Sequence, residues 1–529
     1  MRPAVEFMGR PASEGIFAGP VAGLSGAGSR RRLPGDPAHE RADFEAAIAA
    51  AGAAIASLMA RTEGEAAEML GFQLAMLEDA ALAAPAIEDI GRGMAADAAW
   101  QEALGREISG YELSQDEYFR ARAVDLKDIR DRVLRALAGE TAAAVRSGTI
   151  LVGDDLAPSL FLETDWTQGG AIALVAGSSS SHVAMLARSR GIPMVVGLGP
   201  SWPGKHGRAI VDGGAGIVVA DPPPETVETY ARRAAVLAER RDCERQYLHR
   251  PALRKDGSKV EVLVNVASVE ELASIDVESC DGIGLMRSEF LFRDGAALPD
   301  EERQYRAYRA LLEWAEDRPV TVRTLDIGGD KPIAGLTPEG ERNPFLGLRG
   351  ARLTLARPDV FGVQLRALAR AAVHGNLKVM LPMVTVPEEI DRSSALFRQC
   401  VEDLKAEGTA CALPPLGIMV EVPAVAIAPE LFTLATFFSI GSNDLTQYVT
   451  AASRDDPSVA RLNDPAHPAV TRLIAAVAQF GRERGIPVSL CGDMASEPKY
   501  LPLLMSAGVT SLSVAPAALA RVKAAIAEL

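Results

Sequence analysis

The sequence predicts a multidomain α/β protein: a small α/β domain interrupted by a helical insert, then a C-terminal (β/α)8 barrel of the TIM type. Three observations lead there. Residues 36–140 are a run of Ala, Leu, Glu and Arg with helical spacing and almost no proline. Residues 148–220 alternate short apolar runs with glycine turns around a single helical segment. From residue 259 to residue 529 strand-like and helix-like runs alternate to the end, a stretch close to the ~250 residues of a (β/α)8 barrel.

Residues 1–35 read as strand and turn, with Gly15, Gly19, Pro20 and Gly23 breaking short apolar runs. They form the first part of the α/β domain that resumes at 141–221. In the insert, 36–140, Phe44, Ile48 and Ile55, and later Ile129, Val133 and Leu134, recur at helical spacing, as in a bundle or a pair of hairpins. Within 141–221 the expected strands are 149–152, 171–175, 194–196 and 209–211, with one helix opening at His182 and closed by Gly191. Asp221 and three prolines then punctuate the chain, and a polar, Arg-rich helix, 225–250, occupies a linker set at 222–255. The barrel is assigned to 256–529, with strands expected at 260–266, 283–286, 320–325, 345–348, 377–383, 416–420, 437–440 and 488–490.

A chain of 529 residues exceeds one compact core, in keeping with several domains. The net charge of -15 argues against nucleic acid or an anionic membrane, both of which need a positive footprint. It suits small-molecule work or docking to a basic protein. Cys243, Cys280, Cys400, Cys411 and Cys491 are odd in number and form no CxxC pair, so free thiols in a reducing compartment are expected. The N-terminus shows no signal pattern, and no stretch of ~20 uninterrupted apolar residues occurs, which makes the cytoplasm the expected location.

The chemistry lies where the expected strands end. Arg287, Arg323 with Asp326, Arg349, Glu421, Asn443 with Asp444, and Cys491 each follow an apolar run. In a (β/α)8 barrel that rim holds the active site, so residues spread over some 200 positions of sequence would converge. Singly, an Arg or Glu there is usually half of an ion pair. As a set they are complementary: Glu421 and Asp444 offer hard oxygens suited to Mg2+, and the arginines offer planar forks for phosphate and carboxylate. Such a site suits a small, multiply anionic phospho-compound. His182 follows Gly177 and four serines and opens a helix. Free N–H groups and the positive dipole end there favour an added anionic group.

These residues carry a family resemblance. The run Ser180–Arg188 with Gly191-Ile192-Pro193 resembles the phosphohistidine motif of phosphoenolpyruvate-using phosphotransferases. Residues 281–292 (DGIGLMRSEFLF), 322–331 (VRTLDIGGDK), 343–352 (NPFLGLRGAR), 417–424 (GIMVEVPA), 437–448 (FFSIGSNDLTQY) and 491–493 (CGD) are similar to enzyme I of the phosphoenolpyruvate-dependent sugar phosphotransferase system. In the insert, Met76–Asp79, Asp116–Tyr118 and 125–137 are in the same style. The resemblance implies a swivelling phosphohistidine α/β domain, an inserted helical subdomain that binds the carrier protein HPr, and a phosphoenolpyruvate-binding barrel. His182 would carry the phosphoryl group. Arg287, Arg323 and Arg349 would bind phosphoenolpyruvate, assisted by Asn443, Asp444 and Arg454. Glu421 and Asp444 would hold Mg2+, and Cys491 would protonate the enolate to pyruvate. A homodimer and the stand-alone form, with no fused carrier, are implied as well.

Three features depart from the family. Serines fill the run before His182 where Gly-Gly and Thr are usual, Ala452-Ser453 replaces Val-Asp before Arg454, and the chain ends soon after the last barrel helix. Pyruvate phosphate dikinase and phosphoenolpyruvate synthase share the histidine domain and the barrel. They also need a large nucleotide-binding region before the histidine, and no glycine-rich phosphate loop lies there. A non-catalytic regulatory relative is the remaining alternative. In the insert, Glu63, Glu65, Glu68, Glu78, Asp79, Glu88 and Asp89 surround Met69, Leu70, Phe72, Met76 and Leu77 with no Lys or Arg, a surface expected to meet a basic carrier.

Overall fold

The computed structural model describes residues 5–24, 33–62, 65–112, 117–139, 147–177, 181–199, 207–292, 298–328, 333, 335–338, 341–453 and 459–529. The chain divides into two compact units, Met1–Arg240 and Arg241–Leu529.

The first unit is built on an eight-stranded mixed sheet of β1 (Val5–Met8), β2 (Arg10–Ser13), β3 (Ile16–Gly23), β4 (Ile150–Gly153), β5 (Ala171–Leu174), β6 (Met194–Val196), β7 (Arg208–Asp212) and β8 (Ile217–Ala220). Their order is β1-β8-β7-β3-β4-β5-β6-β2, with β3 to β6 parallel and the flanking pairs antiparallel. The period of two divides the strands between two cores. Leu151, Ile172, Leu174 and Met194 pack with Phe161, Val183 and Ala187, while Ile150, Val152, Ala171 and Val195 pack with Ala209, Val211 and Val218. The short strands β1, β2 and β8 were not delimited by the sequence pattern.

The insert between β3 and β4 is helical: α1 (Pro37–Met59), α2 (Glu65–Glu78), α3 (Ala80–Gly91), α4 (Ala96–Glu112) and α5 (Glu117–Leu137). Asp36 caps α1 by accepting from the His39 N–H, and Pro37 takes the first-turn position that needs no donor. Phe44, Ile55, Leu70, Ile90, Trp100, Leu104 and Ile129 form one buried cluster. Among the described residues α1 is long and apolar enough to cross a membrane, with hydropathy 1.4 over an 18-residue window. Its alanines raise that figure, and its Phe44, Ala47, Ala51, Ile55 and Leu58 stripe belongs to the bundle core. Short α6 (Pro158–Glu163) and α7 (His182–Arg190) lie among the later strands, and α8 (Pro224–Arg245) is the polar helix expected after the prolines.

The second unit contains a closed barrel of eight parallel strands: β9 (Glu261–Val266), β10 (Ile283–Arg287), β11 (Val320–Arg323), β12 (Leu377–Leu381), β13 (Leu416–Val420), β14 (Phe438–Gly441), β15 (Val488–Cys491) and β16 (Ser511–Val514). Two sequence expectations are corrected. Residues 345–348 are not a strand. Pro344 lacks an N–H to give a ladder, and Pro344–Leu346 is a 3-10 turn in the connection between β11 and β12. The eighth strand is β16, which closes the barrel between β15 and β9. Half of its Ser-Leu-Ser-Val pattern is polar, yet Ser513 Oγ donates to Asn265 Oδ1 at 2.6 Å and Ser511 Oγ donates to Glu261 Oε2 at 2.6 Å, so the polar positions satisfy one another.

Candidate active site

Strand ends deliver most of the charged side chains. β10 ends on Arg287 and β11 on Arg323, and the two are register partners on neighbouring strands. Glu421 follows the last residue of β13. Asn443 and Asp444 lie in the first turn of the helix Ser442–Thr450, directly after β14. β15 ends on Cys491. Arg349 arrives differently, from the long β11–β12 connection after the 3-10 turn.

Four of these side chains and two further carboxylates make a buried charge network. Arg323 Nη2 donates to Glu289 Oε1 at 2.5 Å, and its Nη1 lies 2.9 Å from Asp326 Oδ2. Arg349 Nη2 donates to both oxygens of Asp326, at 3.3 and 3.1 Å, and its Nη1 lies 3.5 Å from Asp444 Oδ1. Tyr448 OH accepts from Arg349 Nη1 at 3.3 Å and donates to the Phe345 carbonyl at 2.5 Å. Burial alone would lower the pKa of Arg323 and Arg349. The surrounding carboxylates, Glu289 and Asp326 foremost for Arg323 and Asp326 and Asp444 foremost for Arg349, outweigh it and hold both guanidiniums above their ordinary range.

Glu421 and Asp444 are both buried. Glu421 Oε1 accepts from the Met383 N–H at 2.7 Å. Burial, then repulsion from Asp444 and Asp326, pushes Glu421 up to about 8. Among the described residues Asp444 Oδ1 is buried with no hydrogen-bond donor, the Arg349 guanidinium lying 3.5 Å away. A Cβ on Gly441 would come within 3.1 Å of Glu421 Oε2, so glycine leaves that oxygen room. Mutually repelling hard oxygens, one of them unmet, fit a divalent cation. Among the described residues no group of three or more His, Cys, Asp or Glu is arranged to hold a metal. A pair of carboxylates is the donor set that Mg2+ takes when water and phosphate complete its shell.

Cys491 packs inside the barrel with Leu285, Met380, Met419 and Phe437. Its thiol receives the Ser439 hydroxyl at 3.5 Å and donates to the Ile440 carbonyl at 3.5 Å. Burial pushes it up, so the group stays a protonated thiol at neutral pH. Asn443 is oriented by Asp493, whose carboxylate accepts from Nδ2 at 3.2 Å and whose N–H donates to Oδ1 at 3.0 Å.

In the first unit His182 opens α7. The preceding Ser181 caps the helix by accepting from the Ala184 N–H at 3.2 Å, and Gly191 closes it at φ 66°. The His182 side chain, Ser178 to Ser180, Arg454, Glu63 and the side chains of Glu65 and Glu68 lie outside the described residues. The structure therefore brings Arg323, Arg349, Asp444 and Glu421 into one network, with Cys491 within its field. Glu289, Asp326 and Tyr448 complete it. Glu289 and Tyr448 sit inside the motifs 281–292 and 437–448, which was the available signal, but their partners are remote in sequence.

Profiles of the phosphoenolpyruvate-utilising enzymes match along the chain: the N-terminal region at 8–122, the mobile domain at 145–216 and the PEP-binding domain at 241–529. A phosphoenolpyruvate-protein phosphotransferase from Bacillus sp. (strain S) is 35% identical over 513 residues, covering 95% of this chain and 89% of its own. The chain belongs to the phosphoenolpyruvate-protein phosphotransferases. Two others of that name are similar: one from Haloferax volcanii is 38% identical over 478 residues, 88% of this chain and 83% of its own, and one from Geobacillus stearothermophilus is 37% identical over 492 residues, 89% and 85%. The mobile-domain match of the phosphoenolpyruvate-utilising enzymes spans α7 with His182, and their PEP-binding-domain match spans every barrel residue discussed above.

Proposed function

We propose that this phosphotransferase moves the phosphoryl group of phosphoenolpyruvate onto His182, releases pyruvate, and passes the group to an HPr-type carrier protein. The observation that carries this reading is the buried network of Arg323, Arg349, Glu421 and Asp444 at the mouth of a family-matched PEP-binding barrel. Phosphoryl transfer is chiefly positioning and charge neutralisation, which such a network supplies.

In this reading Arg287, Arg323 and Arg349 receive the phosphate and carboxylate, with Asn443 and Arg454 assisting. Glu421 and Asp444 hold Mg2+. Bound there, the cation would neutralise charge on the phosphoryl oxygens. The bond between phosphorus and the enol oxygen breaks as a ring nitrogen of His182 bonds to phosphorus. Cys491 then gives its proton to the methylene carbon of the enolate, completing pyruvate. A buried thiol that keeps its proton supports that role. The carrier, a cytoplasmic setting and a homodimer belong to the same reading, on the strength of the family.

Incubation with 32P-labelled phosphoenolpyruvate and Mg2+ tests it. The wild-type chain takes up label that is acid-labile and base-stable, and His182→Ala takes up none. Label persisting in that variant refutes His182 as the carrier. For the carrier protein, Glu65→Lys with Glu68→Lys slows onward transfer at low salt and spares self-labelling. Equal loss of both steps rejects docking at that segment. Sedimentation equilibrium reads the dimer as twice the chain mass.

A further inference from the structure

Arg323 and Arg349 reach the barrel mouth from separate places, one at the end of β11 and one from the following connection, and a single carboxylate lies between them. Asp326 Oδ2 is 2.9 Å from Arg323 Nη1, and both its oxygens accept from Arg349 Nη2, at 3.1 and 3.3 Å. Arg349 Nε also donates to Oδ1 at 3.3 Å. The three side chains are 2 to 6% exposed. Glu289, wholly buried, holds the other end of the Arg323 fork.

Two guanidiniums that address one phosphate repel each other before it arrives. A carboxylate between them removes that repulsion and sets their spacing. The backbone is built around the arrangement. Gly328, two residues after Asp326, adopts φ 105°, and a Cβ there would lie 2.7 Å from the Cβ of Arg349, so the Asp326 loop closes directly onto the Arg349 segment. Among the described residues Arg323 Nε is buried with no hydrogen-bond partner. In a buried site an unmet donor is costly, and an incoming anion would meet it.

We propose that Asp326 is a positioning residue for phosphoryl transfer: it fixes Arg323 and Arg349 side by side so that both act on one substrate anion. It acts through the arginines and does not touch the substrate. This rests on the reading of the barrel as the phosphoenolpyruvate site. The alternative is that Asp326 only stabilises the barrel.

The test is a double-mutant cycle on pyruvate formation, with melting temperature measured in parallel. Asp326→Asn keeps an acceptor and loses the charge. Its kcat/KM for phosphoenolpyruvate falls about 100-fold, the loss expected of reacting groups misplaced by about 1 Å, with KM taking a large share. Asp326→Glu restores the charge and folding but displaces the carboxylate, and it recovers only part of the activity. In an Arg349→Lys background, where the two-pronged contact is already gone, Asp326→Asn costs much less than it does alone.

Equal cost in both backgrounds, an unchanged kcat/KM, or full recovery by Asp326→Glu would overturn the proposal. So would a loss of activity that merely follows a loss of folded protein in both Asp326 variants. If the wild-type chain forms no pyruvate at all, the phosphoenolpyruvate reading itself fails. A wild-type chain that is active while its Asp326 variants are unimpaired sinks only the positioning role.

Discussion

The Met383 N–H donates to Glu421 Oε1 at 2.7 Å, tying the carboxylate after β13 to the segment after β12. Met383 does so from a left-handed backbone position, φ 57°, uncommon for a residue with a side chain. Strain of this kind is kept where surrounding structure demands it, and here it aims a backbone donor at a buried carboxylate.

That bond makes Glu421→Gln informative. The amide oxygen still accepts from Met383, so the barrel keeps its fold while the charge is lost. Mg2+-dependent turnover falls by at least 100-fold, with the melting curve near wild type. The wild-type chain also shows a pH effect. A carboxylate pushed up to about 8 is mainly protonated at pH 7 and must lose that proton to hold a cation. Cation affinity therefore rises as pH rises toward 8 and levels off above it. Titration calorimetry with Mg2+ in buffers of different ionisation enthalpy reads proton release at pH 7 and less at pH 9. No release at pH 7 rejects Glu421 as a protonated ligand.

Cys491→Ser slows pyruvate formation by about 100-fold or more, since a hydroxyl is a far weaker acid, while binding of phosphoenolpyruvate is largely retained. Burial moves the loss of the thiol proton to higher pH than in an exposed thiol. Burial pushes the Cys491 thiol up, so the acid form persists further into the range where ordinary thiols ionise. Pyruvate formation therefore keeps its thiol acid to higher pH than an exposed thiol would allow. Iodoacetamide modifies exposed Cys243 well before Cys491, as peptide mapping reads. Early alkylation of Cys491 contradicts its buried setting.

Gly492 adopts φ 103°, and a Cβ there would lie 2.4 Å from Ser442 Oγ and 2.9 Å from Asn443 Oδ1. Gly492→Ala is therefore both strained and pushed against Asn443. A loss of about 1–3 kcal/mol in barrel stability is expected, together with at least a tenfold drop in kcat/KM. Denaturant unfolding and steady-state assays measure the two effects separately.

In the first unit, Arg132 on α5 lies 2.7 Å from Glu163 of α6 and 3.7 Å from Asp128, with side-chain exposure of 5%. Arg132→Met leaves two carboxylates without that cation and destabilises the unit by about 3–5 kcal/mol at pH 7. Burial raises the pKa of Asp128, against the pull of Arg132. The folded state thus holds this proton more tightly than the unfolded chain, so the penalty is absent below about 3.8 and grows as pH rises. The deficit of the variant is smaller near pH 4.5 than at pH 7, as urea titrations at the two pH values measure.

The sequence by itself determined the alternation of strand and helix, because a period of two or 3.6 is a local pattern. It placed β10, β13 and β15 to within a residue or two, and it marked Glu421 and Cys491, which directly follow or end an apolar strand, and Asp444, three residues past one. Closure of the barrel by β16 was decided by tertiary structure. Ser511 and Ser513 become tolerable core positions only when Glu261 and Asn265, some 250 residues earlier, receive their hydroxyls. Arg349 shows the same limit from the other side. Its segment was expected as a strand, yet the Pro344 turn leaves it in a connection, and contacts with Asp326, Asp444 and Tyr448 return it to the strand-end rim. A local pattern reports which face of an element is apolar. It carries no information about which distant charge completes a buried pair, because that pairing exists only once the barrel has closed.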